Sequence, residues 1–448
     1  MITLNNINLS SIDLSGIDLR GIKLGLGGRG GGSGDGFPQL PGDVTRWHFG
    51  GLTNEMMAAM DDPRIEDADH KGRFLSFKNF AWKEGSGISD VYPGALVFDG
   101  VDDYGVCDNF PILTKEKGYT VVALRQWDQD FLNTTLTGGL LSTRNYSTGE
   151  GVAFEKIESS SKGYWNLGAG GIIDFAKSPF TWQTSKQYNN VGILKGDKNH
   201  GKPLCVGCGL SGGQQCGRFA IWELVILDHD ATEEELTKIK DYFVKTYPWL
   251  FFDQAWTVTG KTNEDEDRAT IANITGNGND LVLSNFGFIE GSGYNEEGEY
   301  AGYLVTDGVD DKITSSIFEM GNDWTVIGDW ELINTGKKDN AGIVKFDSIV
   351  IYNYNPILIN IKNGRNNLIP DQNTVNAICS DGRIYSKDWK ESIYNEETES
   401  TSKNLLTIGY SGNSYTKIAF KNLAIYPTIL SKEDCIKAYN YLQTLKAK

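Results

Sequence analysis

The sequence lacks several features on which common protein functions depend. Its 448 residues contain no apolar run near the length of about 18 residues that a membrane-spanning helix needs. It has only four histidines, and it contains no HExxH or P-loop motif. These absences exclude a helical membrane protein, and they disfavour the metalloprotease and nucleotide-binding classes that those motifs mark.

Basic residues are also scarce. Lysine and arginine total 42 against 59 aspartates and glutamates, which gives a formal net charge of −17. Nucleic acids and anionic membranes attract positive surfaces, so we expect neither as a partner. The start, MITLNNINLSSIDLSG, has no basic stretch followed by a continuous apolar run, so we expect no secretory signal there. A protein that works outside the cell would then need another route, such as assembly into a particle released by lysis.

The six cysteines form no evenly spaced disulfide framework. Three of them, Cys205, Cys208 and Cys216, lie in the segment CVGCGLSGGQQC. A single C-x-x-C pair without a second is incomplete for zinc. The segment PLCVGCG also has the pattern of a strand, in which Cys205 and Cys208 would point to opposite faces. We therefore expect reduced structural thiols, with a metal at these cysteines as the alternative.

Apolar residues near the N-terminus recur every five positions, a period that fits neither a helix nor a strand. The units NINLS, SIDLS, GIDLR and GIKLG resemble pentapeptide repeats, which coil as a squared β-helix. So few units cannot stabilise one another, so we predict that residues 1–24 are an anchor ordered by other copies or by a host surface. A frayed terminus is the alternative. The repeating apolar positions include Leu9, Ile12, Leu14, Ile17, Leu19 and Ile22.

Glycine dominates the next segment, residues 25–38, which contains GLGGRGGGSGDGF. Glycine at this density predicts a flexible tether. An anchor, a tether and a large body together have the layout of an appendage.

The rest of the chain contains one pattern twice. FDGVDDY at 98–104 returns as TDGVDDK at 306–312, and NFAWKEGSG at 79–87 returns as NFGFIEGSG at 285–293. The order of the matches is kept at an offset of about 200 residues, which indicates an internal duplication. We place the two units at residues 39–249 and 250–448, with Pro248 as the stop after the last helix of the first unit.

Short β-rich runs fill both units and are separated by clusters of Gly, Asn, Asp and Ser. This pattern, with runs such as GALVF and TVVAL, predicts an all-β sandwich. Each unit then closes with one helix. Thr232 and Glu235 have the spacing of a capping box at the first closing helix, and Ser431 and Asp434 repeat that spacing at the second.

These residues resemble the laminin-G-like, concanavalin-A-like jelly rolls. The motifs that carry the resemblance are GNGNDLVLSNF at 276–286, FDGVDDY at 98–104 and the strand, cap and helix that end each unit. The resemblance implies an all-β fold of two concanavalin-A-like jelly-roll sandwiches, each closed by one C-terminal helix. It implies little about function, because this fold serves lectins, glycosidases, adhesion modules and virion spikes.

Aromatic side chains on such a fold can form platforms for sugars. Our candidates are Tyr164, Trp165 and Trp182 in the first unit and Trp389 in the second, with core packing as the alternative for each. Glycosidases on this fold carry E-x-D-x-x-E on one strand, and that spacing does not occur here. We therefore expect binding without catalysis and without a required cofactor.

The motif FDGVDDY places Asp99, Asp102 and Asp103 close together, and clustered carboxylates suit calcium. The motif lies between two strand-like runs, and Gly100 can take the positive φ of a tight turn. Aspartate side chains in turns accept hydrogen bonds from nearby backbone N–H groups. We therefore interpret the motif as a turn that sets strand register. Calcium binding is only the alternative, because the motif lacks the full ligand set of a known calcium site.

The layout of anchor, tether and tandem jelly rolls is similar to that of phage head- or tail-fibre proteins. It predicts a virion-surface appendage that docks on capsid or tail proteins through its N-terminus and assembles as a homotrimer. Its two lectin-like units would be displayed outward, with host glycans as candidate ligands. Head or tail location and dimer or trimer are open. The alternatives are a bacterial surface or secreted carbohydrate-binding protein and an unfamiliar glycosidase.

Overall fold

The computed structural model describes most of the two predicted units. The described residues are 35–111, 118–143, 153–156, 162–165, 173–174, 180–184, 203–210, 213–276, 278–333, 341–346, 349–353, 357–361, 365–369, 375–393, 404–411 and 414–447. The predicted anchor at 1–24 and most of the tether lie outside them, so both stay predictions. Among the described residues, no helix has the length and apolar composition needed to cross a membrane.

The first unit consists of two antiparallel sheets packed face to face. Its strands are β1 Val44–His48, β2 Arg64–Glu66, β3 Phe74–Lys78, β4 Gly87–Ser89, β5 Ala95–Asp99, β6 Tyr104–Cys107, β7 Thr120–Trp127, β8 Gly138–Ser142, β9 Ala153–Lys156, β10 Lys162–Trp165, β11 Ile173–Asp174, β12 Phe180–Thr184, β13 Leu204–Val206, β14 Cys208–Leu210, β15 Gln214–Cys216 and β16 Arg218–Leu227. Its helices are α1 Asn54–Ala58, α2 Gln129–Leu132 and the closing helix α3 Glu233–Thr246. The front sheet has the order β12-β7-β16-β5-β4, with β1 also paired to β16. The back sheet has the order β11-β10-β9-β8-β13-β6-β3-β2, and β15 joins β14 to β8 in a locally parallel pair.

The second unit repeats this plan after a short 3-10 turn, Pro248–Leu250. Its strands are β17 Gln254–Thr257, β18 Thr270–Ile271, β19 Leu281–Ser284, β20 Gly293–Tyr294, β21 Leu304–Val305, β22 Lys312–Phe318, β23 Thr325–Leu332, β24 Ala341–Phe346, β25 Ile349–Asn353, β26 Ile357–Ile361, β27 Arg365–Ile369, β28 Val375–Cys379, β29 Arg383–Ser386, β30 Glu391–Ile393, β31 Asn404–Ile408, β32 Tyr410–Ser411, β33 Ser414–Tyr415 and β34 Ile418–Tyr426. The closing helix is α4 Lys432–Leu442. The front sheet is β20-β21-β34-β23-β28-β29-β30 with β17 on β34, and the back sheet is β18-β19-β22-β31-β24-β25-β26-β27.

The pairing of the last long strand shows how closely the units correspond. In the first unit β16 pairs with β1, β5 and β7, and in the second β34 pairs with β17, β21 and β23. The pairs β16–β7 and β34–β23 shift register at the same place. The shift lies between Ile221 and Glu223 of β16 in the first unit, and between Asp329 and Trp330 of β23 in the second. The predicted all-β fold class with a closing helix is therefore confirmed.

The front sheet of the first unit is buried on both faces, which explains its nearly continuous apolar strands. In β7, Val121 and Trp127 face the interior of the sandwich, whereas Val122 and Leu124 face outward into a second apolar cluster. Capping side chains fix where the closing helices begin. Thr232 and Glu235 form a full capping box at α3, and the Ser431 hydroxyl accepts from the Asp434 N–H at α4. The helices then lie over the outer faces of the front sheets.

That outer cluster is shared by both units. The rings of Trp222 in β16 and Tyr441 in α4 meet edge to face with centroids 6.1 Å apart. The Tyr441 hydroxyl donates to the Gln126 side chain over 3.1 Å, so the closing helix of the second unit contacts the front sheet of the first. The same cluster includes α3 and the front sheet of the second unit. The two sandwiches therefore share a core through their helices.

The cysteine segment differs from our expectation. Gly207, with a φ of +94°, interrupts the strand between β13 and β14, so Cys205 and Cys208 face each other and form a disulfide. Cys216 pairs opposite Cys208 and packs with both in a small buried cluster. The predicted opposite orientation is wrong because it assumed a regular strand, and reduced thiols are wrong for this pair. Cys216 itself is a free thiol.

Replacing Tyr441 tests the shared core. We expect Tyr441→Ala to lower the free energy of unfolding by about 3–5 kcal/mol, because it leaves a cavity against Trp222. Tyr441→Phe removes only the hydroxyl and should cost about 1–2 kcal/mol. Urea unfolding followed by tryptophan fluorescence measures both. Val101→Ala, at a side chain 74% exposed, is the control and should stay within about 0.5 kcal/mol. Unchanged unfolding of Tyr441→Ala would contradict the shared core.

Candidate functional site

The outer face of the front sheet differs in character between the units. Leu124 in the first unit corresponds to Asp329 in the second, and Trp222 corresponds to Lys421, at the same place in the register shift. Leu124 and Trp222 are fully buried, and Trp222 contacts α4. Asp329 and Lys421 are only partly buried. The face that the first unit uses for the shared core is thus polar and partly open to solvent in the second.

Trp389 forms one wall of this open face. It lies in the turn between β29 and β30, where its N–H donates to the Ser386 carbonyl over 2.9 Å. Its ring is half-buried and meets the Tyr439 ring edge to face at 5.7 Å and the Tyr385 ring at 6.3 Å. Its φ is +56°, a region where glycine or asparagine is usual and a bulky residue costs about 1–3 kcal/mol. A tryptophan at this position is better explained by its ring than by the turn.

Asp329 lies close to two tyrosines. The Tyr303 hydroxyl donates to its Oδ1 over 3.1 Å. Burial, followed by the charge of Asp329, raises the pKa of Tyr303 and of Tyr439 well above the usual value. Both hydroxyls therefore stay protonated. A carboxylate with one donor still has lone pairs for a ligand hydroxyl.

Further groups line the rim. The Lys421 ammonium lies 5.7 Å from the centre of the Tyr303 ring, and the Tyr300 ring meets Tyr303 edge to face at 6.4 Å. The Lys387 ammonium pairs with Glu331 over 3.4 Å. We refer to the surface formed by Tyr303, Asp329, Trp389, Lys421 and Tyr439 as the Trp389 face. Half-exposed aromatic rings around fixed polar groups are the composition of a sugar subsite.

The structure does not bring the four predicted platform residues together. Tyr164 and Trp165 lie in β10 of the back sheet, and Trp182 lies in β12 at an edge of the front sheet. Their side chains lie outside what the structure describes, so these three stay predictions. Trp389 packs against the shared core with part of its ring, so both interpretations of it apply.

Sequence reasoning missed the other members of the face. Tyr303, Asp329, Lys421 and Tyr439 belong to four segments that only the fold brings together. A signal was available in the duplication, because Asp329 and Lys421 are charged where the first copy is apolar. That signal needs the residue-by-residue register of the two copies, which follows from the shared shift in strand pairing.

The carboxylates of the acidic turns make hydrogen bonds that hold the turns in shape. Asp99 Oδ1 accepts from the Val101 N–H over 2.7 Å, which closes the turn around Gly100 at a φ of +77°. The buried Asp103 accepts from the Ser86 hydroxyl over 3.1 Å and from the Asp99 N–H over 3.0 Å. These bonds tie the turn to the neighbouring loop. Asp102 is exposed, and its backbone carbonyl accepts from Asn79 over 3.0 Å.

The second copy repeats these bonds. Asp307 Oδ1 accepts from the Val309 N–H over 2.7 Å, and Asp311 Oδ2 accepts from the Ser292 hydroxyl and the Asp307 N–H, each over 2.8 Å. In both turns one oxygen of each carboxylate lies within 4.8 Å of the others, so calcium stays the alternative. Burial raises the pKa of Asp103 and of Asp311 to about 6.

The comparisons with known proteins give structural matches but no sequence matches. No known protein family matches the sequence, and no curated protein sequence matches it. Among solved structures, the chain is similar to Trypanosoma rangeli sialidase with a TM-score of 0.32 and 7% identity, over 84% of this chain and 67% of that one. It is also similar to the botulinum neurotoxin type G receptor binding domain, with a TM-score of 0.26 and 12% identity, over 42% of this chain and 50% of that one. The chain thus spans half of the neurotoxin domain, and likeness at these scores carries no functional argument.

Asp311→Asn tests the buried carboxyl of the second turn. Both donors use Oδ2, and the buried Oδ1 has no hydrogen-bond partner among the described residues, so an amide can keep both bonds. The folded pKa of about 6 exceeds the unfolded value of about 3.9, so the contribution of this carboxyl to wild-type stability is greatest below about pH 4 and declines as the pH rises through 6. The variant lacks this decline. When the pH rises from 4 to 8, the free energy of unfolding of the variant should increase relative to that of the wild type. The increase should be on the order of 1 kcal/mol after allowance for solvent screening.

Urea unfolding at both pH values measures this difference. Asp103→Asn is the contrast, because its two donors use different oxygens and the amide must lose one of them. Equal pH dependence of wild type and Asp311→Asn would contradict the buried carboxyl. Calorimetric titration with calcium serves as the control, since binding heat lost in the variant would support the metal alternative instead.

Proposed function

We propose that this protein is a non-catalytic, carbohydrate-binding appendage of a virion surface and that the Trp389 face is its sugar-binding site. The observation that carries the proposal is the exchange of buried Leu124 and Trp222 in the first unit for partly exposed Asp329 and Lys421 in the second. That exchange leaves this part of the equivalent face partly exposed and lines it with aromatic rings and a fixed carboxylate.

The chemistry of the face suits a sugar ring. Aromatic rings stack on the apolar C–H side of a pyranose, and Trp389 and Tyr439 offer two rings at right angles. Asp329 is positioned by Tyr303 to accept hydrogen bonds from sugar hydroxyls. One such subsite binds weakly. Display of several copies, as in the homotrimer we propose, would raise the overall affinity by about 10²–10⁴ without new contacts.

The root of the tether supports the appendage layout. Phe37 packs its ring on Tyr242 of α3 with centroids 5.0 Å apart, and the Arg46 guanidinium lies 4.4 Å from the centre of the Phe37 ring. Arg46 also pairs with Asp35, the first described residue. The tether is therefore fixed to the first sandwich, whereas the Trp389 face belongs to the second.

The remaining parts of the proposal rest on the sequence. We propose that residues 1–24 dock on capsid or tail proteins, that the chain self-associates, and that host surface glycans are the ligands. The partners we propose include neither nucleic acid nor a membrane, because the chain carries a formal net charge of −17. A bacterial surface or secreted carbohydrate-binding protein would use the same face.

One observation favours a second candidate, glycoside hydrolysis. Asp329 and Glu331 are two residues apart in β23, so both carboxylates project from the same side of the sheet. A pair of carboxylates flanking the bond is what glycosidases use. Each is already engaged here, Asp329 by Tyr303 and Glu331 by Lys387, which favours binding. Turnover of a polysaccharide that is lost in both Asp329→Asn and Glu331→Gln would establish hydrolysis.

Replacing Trp389 tests the sugar site. Trp389→Gly suits the positive φ of this position, so it should remove the ring and keep the fold, and sugar affinity should fall by about tenfold or more. Trp389→Phe retains an apolar ring and should keep most of the affinity. A glycan array identifies the ligand, and calorimetry then measures the affinity of each variant. Ile393→Ala, at an exposed side chain of the adjacent strand, is the control. Full binding by Trp389→Gly would contradict this site.

Removal of residues 1–24 tests the anchor. We expect the shortened chain to be soluble and folded, with an unchanged circular dichroism spectrum, and to be missing from purified particles. A chain in which residues 1–24 are scrambled keeps the composition and loses the five-residue period, so it should also fail to assemble. Normal incorporation of either chain would contradict the anchor.

A further inference from the structure

The charges around the Trp389 face restrict which sugars fit it. Asp329 lies at its centre, and Glu331 follows two residues later on the same side of β23. Glu299 is close enough to raise the pKa of Tyr300, after the effect of burial. Three carboxylates therefore surround the rings of Tyr300 and Tyr303.

Most nearby cations are already committed. Lys387 pairs with Glu331 over 3.4 Å. Arg383 pairs with Asp381 over 2.7 Å, and its two remaining nitrogens donate to the Tyr385 hydroxyl and the Leu430 carbonyl, each over 3.2 Å. A ligand carboxylate would have to break these contacts to gain a cation.

Lys421 is a further cation at the face. It lies over the Tyr303 ring and has no ion-pair partner within 4.0 Å in the part of the chain that the structure describes. One ammonium faces the uncompensated charges of Asp329 and Glu299. The balance of the face is therefore negative.

The Tyr303 hydroxyl is committed as well, because it donates its proton to Asp329. The centre of the face thus presents a carboxylate acceptor, which suits a ligand hydroxyl or ammonium. A ligand carboxylate, sulfate or phosphate at the same place would meet like charge in a partly buried setting, where screening by water is weak.

We propose, resting on the proposed function, that the Trp389 face selects neutral and amino sugars and rejects sugars that carry a negative charge. The selection comes from Asp329 rather than from shape. The positive charge of Lys421 attracts an acidic sugar and therefore weakens this selection.

A glycan array that carries each neutral oligosaccharide beside its sialylated or uronic-acid form tests this with the full chain. The best neutral ligand should bind at least tenfold more tightly than its acidic form. Asp329→Asn removes the charge at nearly constant shape and should narrow that ratio to below threefold. Lys421→Gln is the matched control of opposite sign and should widen the ratio. The ratio should also shrink in high salt.

The outcomes separate this inference from the proposed function. Equal or tighter binding of the acidic form, lost in Trp389→Gly, overturns the charge selection and leaves the sugar site standing. A ratio unchanged in both Asp329→Asn and Lys421→Gln also overturns it. An array on which neither form binds overturns the sugar site and the charge selection together.

Discussion

The contact between Trp222 and Tyr441 determines how the two halves of this protein are joined. A front sheet that is apolar on both faces needs a cover on its outer side, and α4 supplies it from the other unit. The hydroxyl of Tyr441 fixes the position of the helix through Gln126. The order of the chain, with a closing helix after each sandwich, follows from this need for a shared cover.

Duplication followed by divergence explains why, within the described residues, the second unit is open where the first is covered. Two identical sandwiches would each present an apolar outer sheet, and a single shared core can cover only part of that surface. In the second unit, Asp329 and Lys421 replace apolar side chains at the part of the sheet that the shared core does not cover. Charged side chains there remove an aggregation-prone patch. The same exchange creates a polar floor beside aromatic rings. A requirement for solubility and a binding function can thus have one structural origin.

Much of the fold was readable from the sequence, and the face was not. Repeated motifs such as DGVDD depend on local hydrogen bonds, so both copies retain the same residues. The motifs therefore reveal both the turns and the duplication. Capping residues such as Thr232 act within one turn of a helix and are equally visible. Trp389, Tyr439 and Asp329 come from a hairpin, a helix and a strand, and their meeting depends on long-range packing. The disulfide between Cys205 and Cys208 was misjudged because a single backbone angle at Gly207 reverses the geometry of a regular strand.

The root at Phe37 and Arg46 also has a mechanical meaning. A pull on the tether enters the molecule at these side chains and passes into α3 and the first front sheet. A ligand held by Trp389 would pull back through the second unit. The load path between the two therefore runs along the connecting Pro248–Leu250 turn and through the shared core, so the seam between the sandwiches carries the tension. In the appendage that we propose, the strength of this seam would limit the force that the attachment withstands.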